Sequence, residues 1–167
     1  MDKPSTLTIL KNAILIERKG KSLYQTAMDH AESDAVKAFF KDLVDDEQEH
    51  IEILEKQFKS FMNSGAFLAG QYEGDAAAVD APDILSEELT KQIGAASFEA
   101  TAITAAIAFE NKAVQMYAQQ AKDATDPEEK KLYNWLSVWE KTHLKKLMAI
   151  EESLIETAWN DNNFWPF

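Results

Sequence analysis

Six residues of metal-binding types share one spacing in this sequence. A glutamate is followed, thirty positions later, by a Glu-x-x-His motif, and the whole set repeats 93 positions further along the chain. The six residues are Glu17, Glu47, His50, Glu110, Glu140 and His143. A glutamate plus a Glu-x-x-His motif, given twice, is the ligand set of a dinuclear metal centre in a four-helix bundle. The spacing therefore predicts a site for two metal ions.

The helices needed to assemble each set are marked by capping residues at the same offset. Ser33 and Asp126 are both suited to cap a helix N-terminus, and Pro127 suits the first helical position because proline has no N–H. Glu17 lies 16 residues before Ser33, and Glu47 lies 14 residues after it. At a rise of ~1.5 Å per residue, these residues are about 24 Å and about 21 Å from the turn. An antiparallel hairpin would therefore place them at nearly the same height.

Apolar residues at helical spacing predict four long helices, at about 5–31, from 34 onward, at about 101–123 and from 127 onward. A short helix is expected to begin near Ser86. We expect an all-α fold, an antiparallel four-helix bundle made of two helical hairpins. A Gly/Ala/Asp-rich crossover at about 63–85 would join the hairpins. The bundle would form one domain over residues 1–158, followed by an aromatic tail at 159–167.

Each predicted ligand lies in an otherwise apolar helical stripe. Four carboxylates cannot remain ionised in such a place without compensation, because burial and mutual repulsion both raise their pKa. Two divalent cations would cancel the charge, and oxygen and imidazole ligands suit iron or manganese, with zinc as a common substitute. Tyr24 and Tyr117, again 93 positions apart, lie two turns beyond Glu17 and Glu110. They are candidates for hydrogen bonds to the ligands, although plain core aromatics would show the same pattern. Asp46 is a further candidate for orienting a ligand.

Composition excludes several other functions. The 167 residues contain no cysteine, which excludes disulfides, thiolate-bound metals and a thiol nucleophile. A formal net charge of −12 disfavours nucleic acid and anionic membrane surfaces as partners. The first five residues open no apolar signal segment, and no apolar run is long enough to span a bilayer. A cytoplasmic protein is therefore expected.

At these motifs the sequence resembles the ferritin-like superfamily, and most of all its rubrerythrin branch, over about 6–60 and about 99–154. The resemblance implies a ferritin-like bundle with two iron ions, in which Glu47 and Glu140 would be the bridging carboxylates. Members of this branch reduce hydrogen peroxide at a di-iron centre or oxidise ferrous iron. Without cysteine there is no rubredoxin module here, so an external electron donor such as a rubredoxin-like protein is expected. A homodimer or larger homo-oligomer is also expected.

Ala113 departs from the pattern of the branch. Strict rubrerythrins carry an additional glutamate at this position, one turn after the ligand on the third long helix. The six ligands that remain are equally those of bacterioferritin. The leading hypothesis is a peroxidase or oxidase that reduces hydrogen peroxide or dioxygen. The alternatives are a ferroxidase or iron-handling protein, a manganese catalase-like enzyme, and a non-enzymatic binding protein stabilised by metal.

Overall fold

The computed structural model describes residues 5–70, 72, 87–94 and 97–161. Within these residues the chain forms five α-helices and no β-strand. The helices are α1 (Thr6–His30), α2 (Asp34–Ser64), α3 (Glu87–Gln92), α4 (Phe98–Asp123) and α5 (Pro127–Asp161). Helix α1 packs along α2, α4 packs along α5, and the two hairpins meet through α1 and α4. The predicted all-α bundle of two helical hairpins is confirmed.

The two predicted caps begin the second helix of each hairpin. The Ser33 hydroxyl accepts hydrogen bonds from the backbone N–H of Ala35 and Val36, at 3.2 and 3.5 Å. Asp126 Oδ1 accepts hydrogen bonds from the N–H of Glu128 and Glu129, at 2.7 and 3.3 Å. Each cap satisfies N–H groups that have no partner inside the helix. These turns fix the register of the helices in each hairpin.

Two helix boundaries differ from the prediction. Helix α4 begins at Phe98 rather than at about Thr101, because the Ser97 hydroxyl caps it by accepting the N–H of Ala100 at 3.2 Å. Helix α5 continues to Asp161, so the first three residues of the predicted tail are helical. The rest of the tail and most of the predicted crossover lie outside the described residues, and the predicted domain boundaries stay predictions. No described helix combines the length and apolar character needed to cross a lipid bilayer.

The buried apolar residues form two clusters, one toward each end of the bundle. One cluster contains Tyr24, Phe40 and Ile103, and the other contains Leu10, Leu54 and Tyr117. Along α1 and α2, the predicted ligands lie between residues of the two clusters. Burying a large apolar side chain contributes roughly 1.5–3 kcal/mol, so the two clusters offset the cost of holding a polar layer between them. That layer is the candidate site.

Candidate metal centre

The structure brings all six predicted ligand residues into one buried layer, where each is at most 2% exposed. Their ligand atoms form two groups of four, each with all its atoms within 4.8 Å of one another. The first group is Glu17, Glu47, His50 and Glu140, and the second is Glu47, Glu110, Glu140 and His143. Glu47 and Glu140 belong to both groups. Two adjacent cations could therefore share these two carboxylates.

The imidazoles face the carboxylates through the same ring atom. His50 Nδ1 lies 3.2 Å from Glu17 Oε2 and 3.1 Å from Glu140 Oε1. His143 Nδ1 lies 3.2 Å from Glu140 Oε2 and 3.6 Å from Glu47 Oε1. The carboxylate of Glu140 thus faces one histidine with each of its oxygens. For both histidines, Nδ1 is the nitrogen that could bind a metal.

Each predicted tyrosine reaches a glutamate of the opposite hairpin. Tyr24 on α1 donates a hydrogen bond to Glu110 Oε1 on α4, and Tyr117 on α4 donates one to Glu17 Oε1 on α1. The tyrosines therefore fix one oxygen of each of these glutamates. The other oxygen of Glu110 has no hydrogen-bond partner among the described residues, and that of Glu17 lies 3.2 Å from His50 Nδ1. Burial and the neighbouring carboxylate raise the pKa of both phenols well above the usual value, so both remain protonated donors at neutral pH.

Three carboxylates of the layer, those of Glu47, Glu110 and Glu140, have pKa values shifted by burial and by neighbouring charges. Burial and the charge of Glu140 raise the pKa of Glu110 to about 8 and also raise that of Glu47 well above its ordinary value. Burial alone would raise the pKa of Glu140 as well, but the nearby His50 and His143 hold it well below its ordinary value. Burial opposes protonation of His50, yet Glu140 and Glu17 raise its pKa to about 9. Without metal, bound protons therefore balance part of the negative charge.

Several buried carboxylate oxygens in the layer have no hydrogen-bond donor among the described residues. They are both oxygens of Glu47, Oε2 of Glu110 and Oε1 of Glu140, which lies close to His50 but outside hydrogen-bond geometry. A buried polar atom left unsatisfied costs roughly 1–3 kcal/mol, and more when it is charged. Two divalent cations would satisfy these oxygens and replace the bound protons. A donor set of carboxylate and imidazole groups, with no sulfur, fits iron or manganese.

The two histidines have different neighbours on their outer sides. His143 Nε2 lies 3.1 Å from Oδ2 of Asp46, the residue considered in the sequence for orienting a ligand. The position 93 residues after Asp46 is Trp139, whose ring centroid lies 6.0 Å from that of His50. Trp135 lies closer, with its centroid 5.3 Å from His50. The sequence interpretation missed both tryptophans, although comparing Asp46 with its counterpart would have identified Trp139.

A glycine also borders the site and was missed. A Cβ atom at Gly20 would lie 3.0 Å from Phe109 Cε1 and 3.2 Å from the Glu47 carboxylate. This spacing is tighter than ordinary van der Waals contact, so a side chain would press on Glu47. The counterpart of Gly20 in the second hairpin is the buried Ala113. Both positions are thus occupied by the smallest residues, one turn after the first glutamate of each set.

Four glutamates and two histidines buried between paired helices define the class: a ferritin-like helical bundle with a carboxylate–histidine cluster that could hold metal. The family model described as rubrerythrin matches residues 8–151. The chain belongs to the rubrerythrin family, which confirms the resemblance seen in the motifs. No curated protein and no solved structure matches the chain.

Proposed function

We propose that this chain is a di-iron protein that reduces hydrogen peroxide or dioxygen with electrons from an external donor. One observation carries the proposal above the others: Glu47 and Glu140 belong to both potential ligand groups, so the groups are arranged for two adjacent ions. Membership of the rubrerythrin family supports iron as the metal. The same ligand types would accept manganese or zinc, and metal analysis distinguishes these ions.

The proposed ligand roles follow the two groups. Glu17 and His50 would bind one ion, and Glu110 and His143 would bind the other. Glu47 and Glu140 would bridge them. Two ferrous ions in these positions would supply the two electrons that reduce one molecule of peroxide to water.

The surrounding residues would orient the ligands and exclude water. Tyr24 hydrogen-bonds one oxygen of Glu110, and Tyr117 hydrogen-bonds one oxygen of Glu17. The second oxygen of each glutamate would then bind metal. The apolar clusters on either side keep the six residues almost fully buried. In such surroundings charges interact more strongly than in water, which favours cation binding by the four carboxylates.

An external donor is part of the proposal because the 167 residues contain no cysteine. These residues offer no thiolate for an iron–sulfur or rubredoxin-type centre. After each reduction of peroxide, electrons would therefore come from a separate redox protein, such as a rubredoxin-like one.

The test is an anaerobic titration with Fe(II), followed by stopped-flow mixing with peroxide or dioxygen. We expect two irons per chain and rapid oxidation of both by peroxide. The Glu47→Gln variant should lose at least one iron, while Glu49→Gln, which changes an exposed neighbour on the same helix, should bind two. A chain that binds one iron or none, or a di-ferrous chain that reacts with neither oxidant, would overturn the proposal.

A further inference from the structure

A group of aromatic rings extends from His50 toward the surface of the bundle. Trp135 and Trp139 lie one turn apart on α5, with ring centroids 6.0 Å from each other. Both rings are near His50, and Trp139 also lies 6.4 Å from His143. The ring of Trp135 in turn lies 5.8 Å from that of Tyr72. Because Tyr72 is only half-buried, the rings form a continuous series from a proposed metal ligand to solvent.

The outer ring of this series is held in a defined place. The Tyr72 hydroxyl accepts a hydrogen bond of 2.8 Å from Gln57 Nε2, and Gln57 also bonds the backbone of Leu68 at its N–H and C=O. A Cβ atom at Gly70 would lie 2.5 Å from the Tyr72 ring, so a larger residue there would displace the ring from this position. These contacts of Gln57 and Gly70 hold Tyr72 beside Trp135.

We propose that Trp135 and Tyr72, with Trp139 packed against Trp135, form a relay that carries single oxidising equivalents from the metal centre to the protein surface. The inference rests on the proposed function, because the oxidant is hydrogen peroxide acting at the iron site. Reduction of one peroxide to two waters takes two electrons and two protons. A chain that holds a single ferrous ion has only one electron to give, and the indole of Trp135 would supply the second.

Residues further from the metal site then replace the lost electron, one step at a time. Trp135 becomes a radical cation when it gives up its electron, and it is restored when Tyr72 gives it one electron. Tyr72 releases its phenol proton to water in the same step and becomes a neutral radical. A soluble one-electron reductant such as ascorbate returns an electron and a proton to Tyr72. In the net reaction ascorbate is oxidised, and no oxidised residue remains beside the metal site.

The chemistry of the indoles suits a relay. Among the described residues, neither Trp135 Nε1 nor Trp139 Nε1 has a hydrogen-bond partner, and both atoms are buried. An oxidised indole with no acceptor for its proton keeps that proton and stays a strong oxidant. It can therefore draw an electron from Tyr72. Burial raises the pKa of Tyr72 to about 12, so the phenol still carries the proton that it must release to water.

Among the described residues, the other aromatic side chains that contact the proposed ligands are more deeply buried. Tyr117 donates to Glu17 and stacks on Tyr133 with centroids 6.1 Å apart, but both rings are 0% exposed. Tyr24 is also 0% exposed and stacks on Phe40, which is not easily oxidised. Oxidation of Tyr24 or Tyr117 would first place the radical on a fully buried ring. The series ending at Tyr72 begins beside a proposed ligand and consists of partly exposed rings.

The test loads the full chain anaerobically with one Fe(II), adds peroxide and freezes samples at successive times for electron paramagnetic resonance. Ring-deuterated tryptophan or tyrosine identifies each radical. We expect a tryptophan radical that is replaced by a tyrosine radical, with oxidised Tyr72 found by peptide mass spectrometry. Tyr72→Phe should prolong the tryptophan signal, and Trp135→Phe should abolish oxidation at Tyr72. Trp159→Phe, an exposed tryptophan near the end of α5, is the matched control and should change nothing.

The outcomes separate the relay from the proposed function. If iron binds and is oxidised by peroxide but Tyr72 oxidation is unchanged in Trp135→Phe, the relay is wrong and the di-iron proposal stands. A radical that disappears only in Tyr117→Phe would equally refute the relay. If the chain binds no iron, or bound Fe(II) does not react with peroxide, both proposals are overturned.

Discussion

Replacing Asp46 with asparagine tests how the centre orients one of its histidines. Asp46 Oδ2 lies 3.1 Å from Nε2 of His143, so the carboxylate holds the proton on Nε2 and leaves Nδ1 for the metal. Burial alone would raise the pKa of Asp46, but the hydrogen bond and charge of His143 outweigh it and lower the pKa. The carboxylate is therefore ionised at neutral pH. Asparagine keeps the shape and an acceptor oxygen but removes the charge.

The expected size of the effect follows from the geometry. Removing such a partner of a metal-binding histidine typically lowers metal affinity about 10–100-fold, which corresponds to about 1.4–2.7 kcal/mol. The Asp46 side chain is 25% exposed, so solvent screens part of its charge, and we expect the lower end of the range, about tenfold. Among the described residues, His50 meets carboxylates through Nδ1, and its other close neighbours include the rings of Trp135 and Trp139. Only one of the two ions should therefore bind more weakly.

The assay is a calorimetric titration of the metal-free protein with Mn(II), fitted to two sites. Asp45→Asn is the control, because it removes the same charge from the adjacent residue, which is exposed and pairs with Lys41. Nuclear magnetic resonance of the histidine rings would show which site is affected. Equal affinities in Asp46→Asn and Asp45→Asn, or a tenfold loss at both sites, would refute the assignment of Asp46 to His143.

Five further predictions concern the metal, the protons and the electrons. Glu140→Ala should reduce the metal content below two ions per chain, measured by elemental analysis, because Glu140 belongs to both ligand groups; two tightly bound ions would contradict this. Chelation should lower the melting temperature, since a ligand at a thousandfold excess over Kd stabilises by about 4 kcal/mol; identical melting curves would argue against metal binding. In the metal-free protein, burial raises the pKa of Glu110 from 4.5 to about 8, and nearby carboxylates raise that of His50 to about 9. The folded state then holds protons that the unfolded chain releases. The free energy of unfolding, measured by urea titration, should therefore fall as pH rises from about 5 to about 8. An increase in that free energy over this range would contradict the prediction. Sustained peroxide consumption should require an added rubredoxin-like donor and reductase, while repeated turnover with peroxide alone would indicate catalase chemistry. Because Ala113 offers no oxygen ligand, structures of the oxidised and reduced protein should both show the metal bound to His50, and a metal displaced from His50 in either state would contradict this.

Much of the fold could be predicted because the helix-capping residues and the helical spacing of apolar residues both occur twice in the sequence, 93 positions apart. Ser33 and Asp126 mark the hairpin turns, and counting residues from these caps places the glutamates of each hairpin at one height. Helix periodicity then assigns the ligands to the buried face. The start of α4 was predicted too late, because the alanine-rich segment after Ser97 gives little contrast between its faces. Local capping by Ser97 decided the boundary.

The contacts between hairpins could not be predicted in the same way. Helical spacing identifies Tyr24 and Tyr117 as neighbours of the site, but spacing within one hairpin cannot show that each tyrosine bonds a glutamate of the other. The same holds for Asp46 and His143. Such pairs depend on the distance and rotation between packed helices, which are set by the three-dimensional fit of side chains. The sequence constrains that fit only through many small contributions.

Asp46 and Trp139 occupy equivalent positions of the 93-residue repeat but differ in chemistry, so the repeat does not extend to all the residues around the proposed ligands. The six proposed ligands and both tyrosines obey the 93-residue offset, so the residues that would touch metal are nearly symmetric. One step further out, the Asp46 carboxylate lies beside His143 and the Trp135 indole lies beside His50, while Trp139 lies near both histidines. A carboxylate increases the basicity of the imidazole it contacts, whereas an indole offers an oxidisable ring. If two ions bind as proposed, the His143 side should hold its metal more firmly, and the His50 side should exchange electrons with the protein. Measuring affinity in the Asp46 variant and radical formation in the Trp135 variant would show whether these two properties separate between the halves of a repeated fold.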